Sequence, residues 1–282
     1  MTAPQEKRQA LPTIWHVSDE LWMVMASLLA QHDPPKRRGR KRIDPRAALD
    51  AIIFRMRSGC QWNQLPQAFP NDSSVHRTFQ RWVRLGIFEL LWAALIKACA
   101  ELGNLNWKWQ AADGAMGKAR LGGDLIGPNP TDRGKNGTKR SLLVEADGGP
   151  LAVTVAGESL HDTKLLHATL GAVVISRPES TAKEPQHLCL DKGYDNPTGR
   201  ATAEQHGYIA HIQRIGEKRF DGTQEPRFPA RRWVVERTLA WLSKCRALLI
   251  RYDKKACNFL ALIQLACTLL WYRRCYRLSI LR

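Results

Sequence analysis

The sequence predicts an α/β protein: a mixed sheet with helices on its faces, preceded by an all-α segment of helix-turn-helix character. Two observations carry this. Up to about residue 105 the apolar residues recur at helical spacing, and after it short apolar runs alternate with helical ones. The order after residue 106 is strand, hairpin, helix, strand, helix, strand, helix, which suits one sheet with helices packed on it. The expected division is therefore residues 1–105, helical, and 106–282, α/β.

In the first segment Ser18-Asp19-Glu20 forms an N-cap ahead of Leu21, Trp22, Met25, Leu28 and Leu29, and Asp33-Pro34-Pro35 ends that helix. Asp44-Pro45 supplies a cap and a proline at the first helical position, and Ala48, Ile52, Ile53 and Met56 follow as its stripe. Residues 61–66 form a turn. Ser73-Ser74 caps a helix over 73–84 bearing Val75, Phe79 and Trp82, with Arg77, Gln80 and Arg81 elsewhere on it. Gly86 ends that helix, and Phe88 to Ala100 is a further apolar one. Short helices with tight turns around a basic, Gln-bearing helix suit a helix-turn-helix unit, with 73–84 as recognition helix.

In the second segment Trp107 to Asp113 reads as a strand, and Gly114 to Lys139 as mostly loop because it is rich in Gly, Pro, Asn and Lys. Arg140 to Glu145 and Leu151 to Ala156 are strands joined by an Asp147-Gly148-Gly149-Pro150 hairpin turn. Thr163 to Leu170 is a helix, and residues 177–185 a polar loop. Leu188 to Asp191 is a strand, Pro197 to His206 a helix and Tyr208 to Gln213 a strand. Pro226 to Pro229 breaks the chain, and helices follow over about 230–250 and 256–275.

Composition narrows the function. Lys and Arg total 43 against 26 Asp and Glu, a formal net charge of +17, which points to a polyanionic partner. The charge is clustered: residues 36–42 hold six bases around Gly39, and Arg37, Arg38, Arg40 and Lys41 suit an arm that touches phosphates rather than bases. Seven cysteines, an odd number with no Cys-x-x-Cys pair, argue against a zinc knuckle or a disulfide framework and fit a reducing cytoplasm. The run Phe259 to Tyr272 is shorter than the roughly 18 apolar residues of a membrane span and ends in Arg273-Arg274, so no membrane is expected.

Three acids stand out. Asp113 closes Trp109-Gln110-Ala111-Ala112, Asp191 closes His187-Leu188-Cys189-Leu190, and Glu236 lies in the helical segment Arg232-Trp233-Val234-Val235-Glu236-Arg237. Two strand-end carboxylates and one on a late helix can hold a pair of hard divalent ions and cut and rejoin phosphodiesters, with water or a DNA 3′-OH as nucleophile. Asp147, Asp162 and Asp195 are the reserve ligands, although Asp147 before Gly-Gly is explained by a hairpin. Lys135, Lys139 and Arg140 are expected to flank the first acid and touch phosphate, as are Lys192, Arg232, Arg237 and Lys244 beside the other two. Trp233 and Trp241 read as core rather than as stacking platforms.

With these words assembled, the chain resembles bacterial insertion-sequence transposases of the DDE type, the IS5-like group in particular, over nearly its whole length. The N-terminal resemblance lies in Asp44-Pro45-Arg46 to Ile52, in Arg57-Ser58-Gly59-Cys60-Gln61-Trp62-Asn63-Gln64-Leu65-Pro66 and in Phe79-Gln80-Arg81-Trp82. The catalytic words are Ala112-Asp113-Gly114, Leu190-Asp191-Lys192-Gly193-Tyr194-Asp195 and Arg232-Trp233-Val234-Val235-Glu236-Arg237-Thr238, and Asp132 to Gly137 and His161-Asp162 match in style. The resemblance implies an RNase H-like fold with catalytic and metal-binding Asp113, Asp191 and Glu236. It further implies Mg2+, with Mn2+ as substitute, cleavage at element ends and strand transfer to target DNA. A homodimer or larger assembly on DNA and a cytoplasmic, nucleoid-bound location follow. Against the related Tyr-x2-Arg-x3-Glu-x6-Lys pattern, Arg232 and Glu236 match, whereas Pro229 and Ser243 replace Tyr and Lys; Lys244 or Arg246 is the available substitute. A regulator descended from such an enzyme, or a metal-dependent nuclease without strand transfer, are the alternatives.

Binding to duplex DNA should be strongly salt-dependent. With several Lys and Arg contacts to phosphate, affinity falls by about 10³-fold or more between 50 and 200 mM salt; a gel-shift affinity that does not change over that range contradicts the charge argument.

Overall fold

The protein is described here by a computed structural model covering residues 13–212 and 232–277. The break at Pro226–Pro229, and with it Pro229 of the pattern above, lies outside the described residues.

Four helices open the chain: α1 (Asp19–His32), α2 (Pro45–Ser58), α3 (Asp72–Arg84) and α4 (Ile87–Glu101). Local chemistry fixes their starts. The Ser18 hydroxyl accepts from Leu21 N–H, and the Asp44 carboxylate accepts from Arg46 and Ala47 N–H ahead of Pro45 at the first position. The cap of α3 is Asn71, whose side chain accepts from Ser74 N–H, so the helix begins before the expected Ser73-Ser74. Between α2 and α3 the chain runs through residues 59–71 with a 3-10 turn at Trp62–Gln64, a longer connection than the tight turn expected there.

The sheet comprises β1 (Trp109–Lys118), β2 (Gly127–Pro128), β3 (Asn136–Glu145), β4 (Pro150–Gly157), β5 (Gln186–Leu190) and β6 (Tyr208–Ile212). Its order is β4-β3-β1-β5-β6, with the short β2 also on β3. β1, β3 and β4 are antiparallel, while β5 and β6 run parallel to β1. An antiparallel three-strand meander joined to two parallel strands is the RNase H-like topology. Helices α5 (Asp162–Gly171), α6 (Pro197–Gln205), α7 (Trp233–Ser243), α8 (Arg246–Leu249) and α9 (Ala256–Arg277) complete the fold.

Two differences from the expected elements matter. First, much of 114–139 is sheet: β1 continues to Lys118 and pairs with β3 through Lys118↔Gly137. What remains of the loop is held by the buried Arg251, whose guanidinium donates to the carbonyls of Asp124, Leu125, Asp253 and Lys254 and to the Thr138 hydroxyl. Second, the helix expected over 230–250 breaks between Ser243 and Arg246, giving α7 and α8.

The two segments share one continuous hydrophobic core. α9 lies between α4 and β4. Trp92 of α4 and Trp271 of α9 both donate their indole N–H to the Pro150 carbonyl, at 3.1 and 2.7 Å. The Tyr272 hydroxyl is 2.7 Å from that of Ser18, Gln264 donates to Glu89, and Arg55 pairs with Asp253 at 3.0 Å between buried side chains. α9 meets the length and composition of a membrane span, more than the sequence reading allowed, yet most of it is buried inside this fold. Arg274 on its outer end binds Glu145 at 2.7 Å and Asp147 at 3.2 Å and so secures the β3–β4 turn.

Trp92→Ala removes the indole that joins α4 to the sheet. It should cost about 3–5 kcal/mol. Because the core is shared, circular dichroism and tryptophan fluorescence should report one coincident urea transition; separate transitions would show two independently folding units.

Candidate active site

β1 and β5 are parallel neighbours, with Ala111 opposite Cys189. β5 stops at Leu190, so Asp191 emerges one residue beyond its end, level with Asp113 on the longer β1. Asp191 begins a 3-10 turn (Lys192–Tyr194), and its carboxylate accepts from Lys192 N–H at 2.7 Å. Asp113 pairs in register with Leu142 of β3. Its carboxylate accepts from Gly114 N–H at 2.8 Å.

Arg232 joins the other two acids. Its guanidinium donates to Asp191 Oδ1 and forms an ion pair with Glu236 Oε1 at 2.7 Å, one helical turn along α7. Burial pushes the Asp113 carboxyl up to about 6. The Gly114 N–H and Arg232 oppose this rise, while Asp191 and Glu236 reinforce it. The structure thus brings the three predicted acids into one electrostatic unit, three carboxylates around one guanidinium.

Among the described residues, no three acidic, histidine or cysteine side chains converge tightly enough to hold an ion. Arg232 takes the space between Asp191 and Glu236. The donor set nevertheless fits a hard divalent ion: all donors are carboxylate oxygens, borne by three separate elements, and their charge exceeds what one arginine balances.

A family model described as "Transposase DDE domain" matches residues 106–271, more than half of the sequence. The chain belongs to the DDE transposases. A second model, "Putative transposase of IS4/5 family", matches residues 17–92. The chain is 32% identical over 153 residues to a "Putative transposase for insertion sequence element IS402" of Burkholderia cepacia, covering 54% of this chain and 70% of that one. It is 27% identical over 118 residues to an uncharacterised 16.2 kDa protein of the same element, covering 40% of this chain and 80% of the other. Among solved structures, a Mos1 transposase paired-end complex with the left transposon end aligns over 85% of this chain and 82% of its own, at 11% identity and a TM-score of 0.27. The RNase H-like fold is given by the strand order and directions. The protein is a DDE-type DNA transposase, and the family uses divalent metal ions.

Around this transposase site the predicted basic residues divide. Arg37, Arg38, Arg40, Lys41 and Arg77 are exposed, and Lys192 and Lys244 are exposed close in sequence to two of the acids. Lys135 is exposed but paired with Asp132 at 3.1 Å, and Arg81 donates to Asp33. Lys139 and Arg140 correct the expectation of phosphate contact, because both are buried. Lys139 Nζ donates to the Leu160 carbonyl and pairs with Asp162, and Arg140 donates to the Ser243 hydroxyl. Ser243, at the Lys position of the pattern, thus anchors α7 to β3. Of the reserve acids, Asp147 pairs with Arg274 and Asp195 with Arg200, while Asp162 lies beside the triad.

Trp233 and Trp241 are a second correction. They are 56% and 37% exposed, and Arg237 lies over both rings with its guanidinium 4.7 Å from each centroid. The i, i+4, i+8 spacing signals one helical face, but not whether that face is covered.

The raised Asp113 pKa makes a stability prediction. The usual value is 3.8 and the folded value is about 6, so the native state holds a proton through that window which the unfolded chain has released. Stability therefore falls as pH rises from about 4 to 6. With chelator present, Asp113→Asn should be more stable than the parent by about 1–2 kcal/mol near pH 8, discounted for partial exposure. The two should match near pH 4. Urea titrations at both values check the sign.

Proposed function

We propose that this transposase binds the terminal inverted repeats of its insertion sequence. It cuts them with two divalent ions held by Asp113, Asp191 and Glu236 and transfers the freed 3′-OH to target DNA. The observation that supports this best is the grouping of these three carboxylates around Arg232 where β5 ends beside β1. Mg2+ is the assigned ion, with Mn2+ as a substitute. When bound, the pair of ions supplies charge neutralisation at the scissile phosphate and activation of the attacking oxygen.

The chain's own residues account for the rest. Asp113 is fixed by the sheet, Asp191 by the turn after β5, and Glu236 is carried by α7. If ions neutralise the acids, Arg232 would be free to meet a phosphate, with Lys192 next to Asp191 and Lys244 at the far end of α7. Trp233, Arg237 and Trp241 present a flat aromatic and cationic face next to Glu236, suited to unpaired bases at a DNA end. Residues 1–105 act as the DNA-binding unit and 106–282 as the catalytic unit. In the first, the exposed Arg37, Arg38, Arg40 and Lys41 hold phosphates, and α3, with Arg77 and Arg81, addresses the groove. Transfer requires both element ends in one complex, so the enzyme works as a homodimer or larger assembly on DNA, in the cytoplasm at the nucleoid.

Labelled element-end DNA with Mg2+ or Mn2+ tests this reading. Asp191→Asn and Glu236→Gln should each reduce nicking and joining by about 10²–10³-fold or more, the scale on which charge-stabilising groups act, while retaining DNA binding. Nicking without joining would reduce the protein to a nuclease. Binding without metal-dependent chemistry would leave a DNA-binding regulator.

A further inference from the structure

Where the turn after β5 packs on the start of α5 lies a group of polar atoms that the triad does not use. Tyr194 ends the 3-10 turn that Asp191 begins and is 1% exposed, yet among the described residues its hydroxyl has no hydrogen-bond partner. A buried hydroxyl without a partner is costly. Phenylalanine would fill the same space without that cost. Asp162, the first residue of α5, carries a matching orphan: its buried Oδ1 has no hydrogen bond. Lys139 Nζ is 3.2 Å from that oxygen, an ion pair without hydrogen-bond geometry, and also donates to the Leu160 carbonyl at 2.8 Å. This Oδ1 lies against the backbone of Gly114, where an added methyl would collide with it, and the same Gly114 donates its N–H to Asp113.

Tyr194 is not loosely placed. Its N–H donates to the Asp191 carbonyl at 3.0 Å, and its own carbonyl accepts from Asn196 N–H at 2.8 Å. Gly199 approaches that carbonyl so closely that a side chain there would clash. Asn196 also binds the Thr163 hydroxyl and the Gly193 carbonyl, which ties the turn to the start of α5. Burial first, and then the charges of Asp162, Asp113 and Asp191, keep the hydroxyl protonated, hence a donor.

We infer that Tyr194 is a positioning residue of the metal site, its buried hydroxyl supplying a hydrogen bond to the surrounding carboxylates when divalent ions draw them together. This rests on the assignment of Asp113, Asp191 and Glu236 as metal ligands. The donor would fix the orientation of a ligating carboxylate from outside the coordination sphere, a role whose loss typically costs about 10–100-fold in metal affinity or activity. Asp162 and Lys139 close the far side of the group and hold its charge in place.

The test compares wild type, Tyr194→Phe and Asp191→Asn as full-length protein. Free Mn2+ is titrated by electron paramagnetic resonance without DNA, and thermal melts are run in chelator. Tyr194→Phe should melt at the same or a higher temperature, because the ring stays and an unpaired hydroxyl goes. Its Mn2+ affinity should fall about 10-fold or more, and nicking should recover at raised Mn2+. Mn2+ affinity equal to wild type in Tyr194→Phe, with loss in Asp191→Asn, overturns the role of Tyr194 and leaves the triad standing. Equal affinity in all three overturns the metal-ligand assignment itself, and with it this inference.

Discussion

Asp191 and Glu236 sit on different elements and meet through the guanidinium of Arg232, with Asp113 partly buried beside them. Much of the surrounding architecture follows from that concentration of negative charge. Three carboxylates repel one another, and the sheet prevents the nearest two from separating, since β1 and β5 are hydrogen-bonded neighbours. The charge must be met from outside, and the chain supplies one arginine where full ionisation calls for more. Burial raises the Asp113 carboxyl, and Asp191 and Glu236 add to that rise against the donor N–H of Gly114 and the nearby guanidinium. A site in this condition is built for added positive charge.

Holding α7 at the correct height is the second requirement, because Glu236 lies on it. Three contacts do this. The Thr238 hydroxyl donates to the Gly148 carbonyl in the β3–β4 turn, Arg237 donates to the Asp147 carbonyl, and Arg140 reaches from β3 to Ser243. The turn is in turn secured by Arg274 from α9, which packs on α4. The helical N-terminal segment therefore bears on Glu236 through α4, α9 and the β3–β4 turn, an unbroken path of packed elements.

Much of this was legible from local words. Ser18, Asp44-Pro45 and Gly86 bound helices as their capping chemistry dictates, and the three acids that the structure brings together stand out in sequence because each closes an apolar run or sits in a marked helix. What escaped has physical reasons. The continuation of β1 through Gly114–Lys118 has no alternation of apolar and polar residues, and its stability comes from pairing with β3, which is remote in sequence. The break after Ser243 has no glycine or proline to mark it. Lys139 and Arg140 suit phosphate contact by residue type, but each has a polar partner inside the fold, and a charged residue that finds one can be buried. Trp233 and Trp241 erred the other way, because residue type says how much apolar area exists and not whether anything covers it.

Arg232 resolves an apparent conflict between the site and the overall charge. A protein of net charge +17 keeps three acids, Asp113, Asp191 and Glu236, within one region. On a surface that binds DNA, such a cluster would repel the backbone it must approach. Pairing of Asp191 and Glu236 with Arg232 reduces that repulsion, and divalent ions, if held as proposed, would reduce it further. In the proposed mechanism the same guanidinium that pairs with the acids would then meet the phosphate, so the positive charge would be retained and only change partner. A lysine in its place would carry the charge but not the planar fork that reaches Asp191 and Glu236 together, which is why the spacing of Arg232 one turn before Glu236 matters as much as the presence of a base.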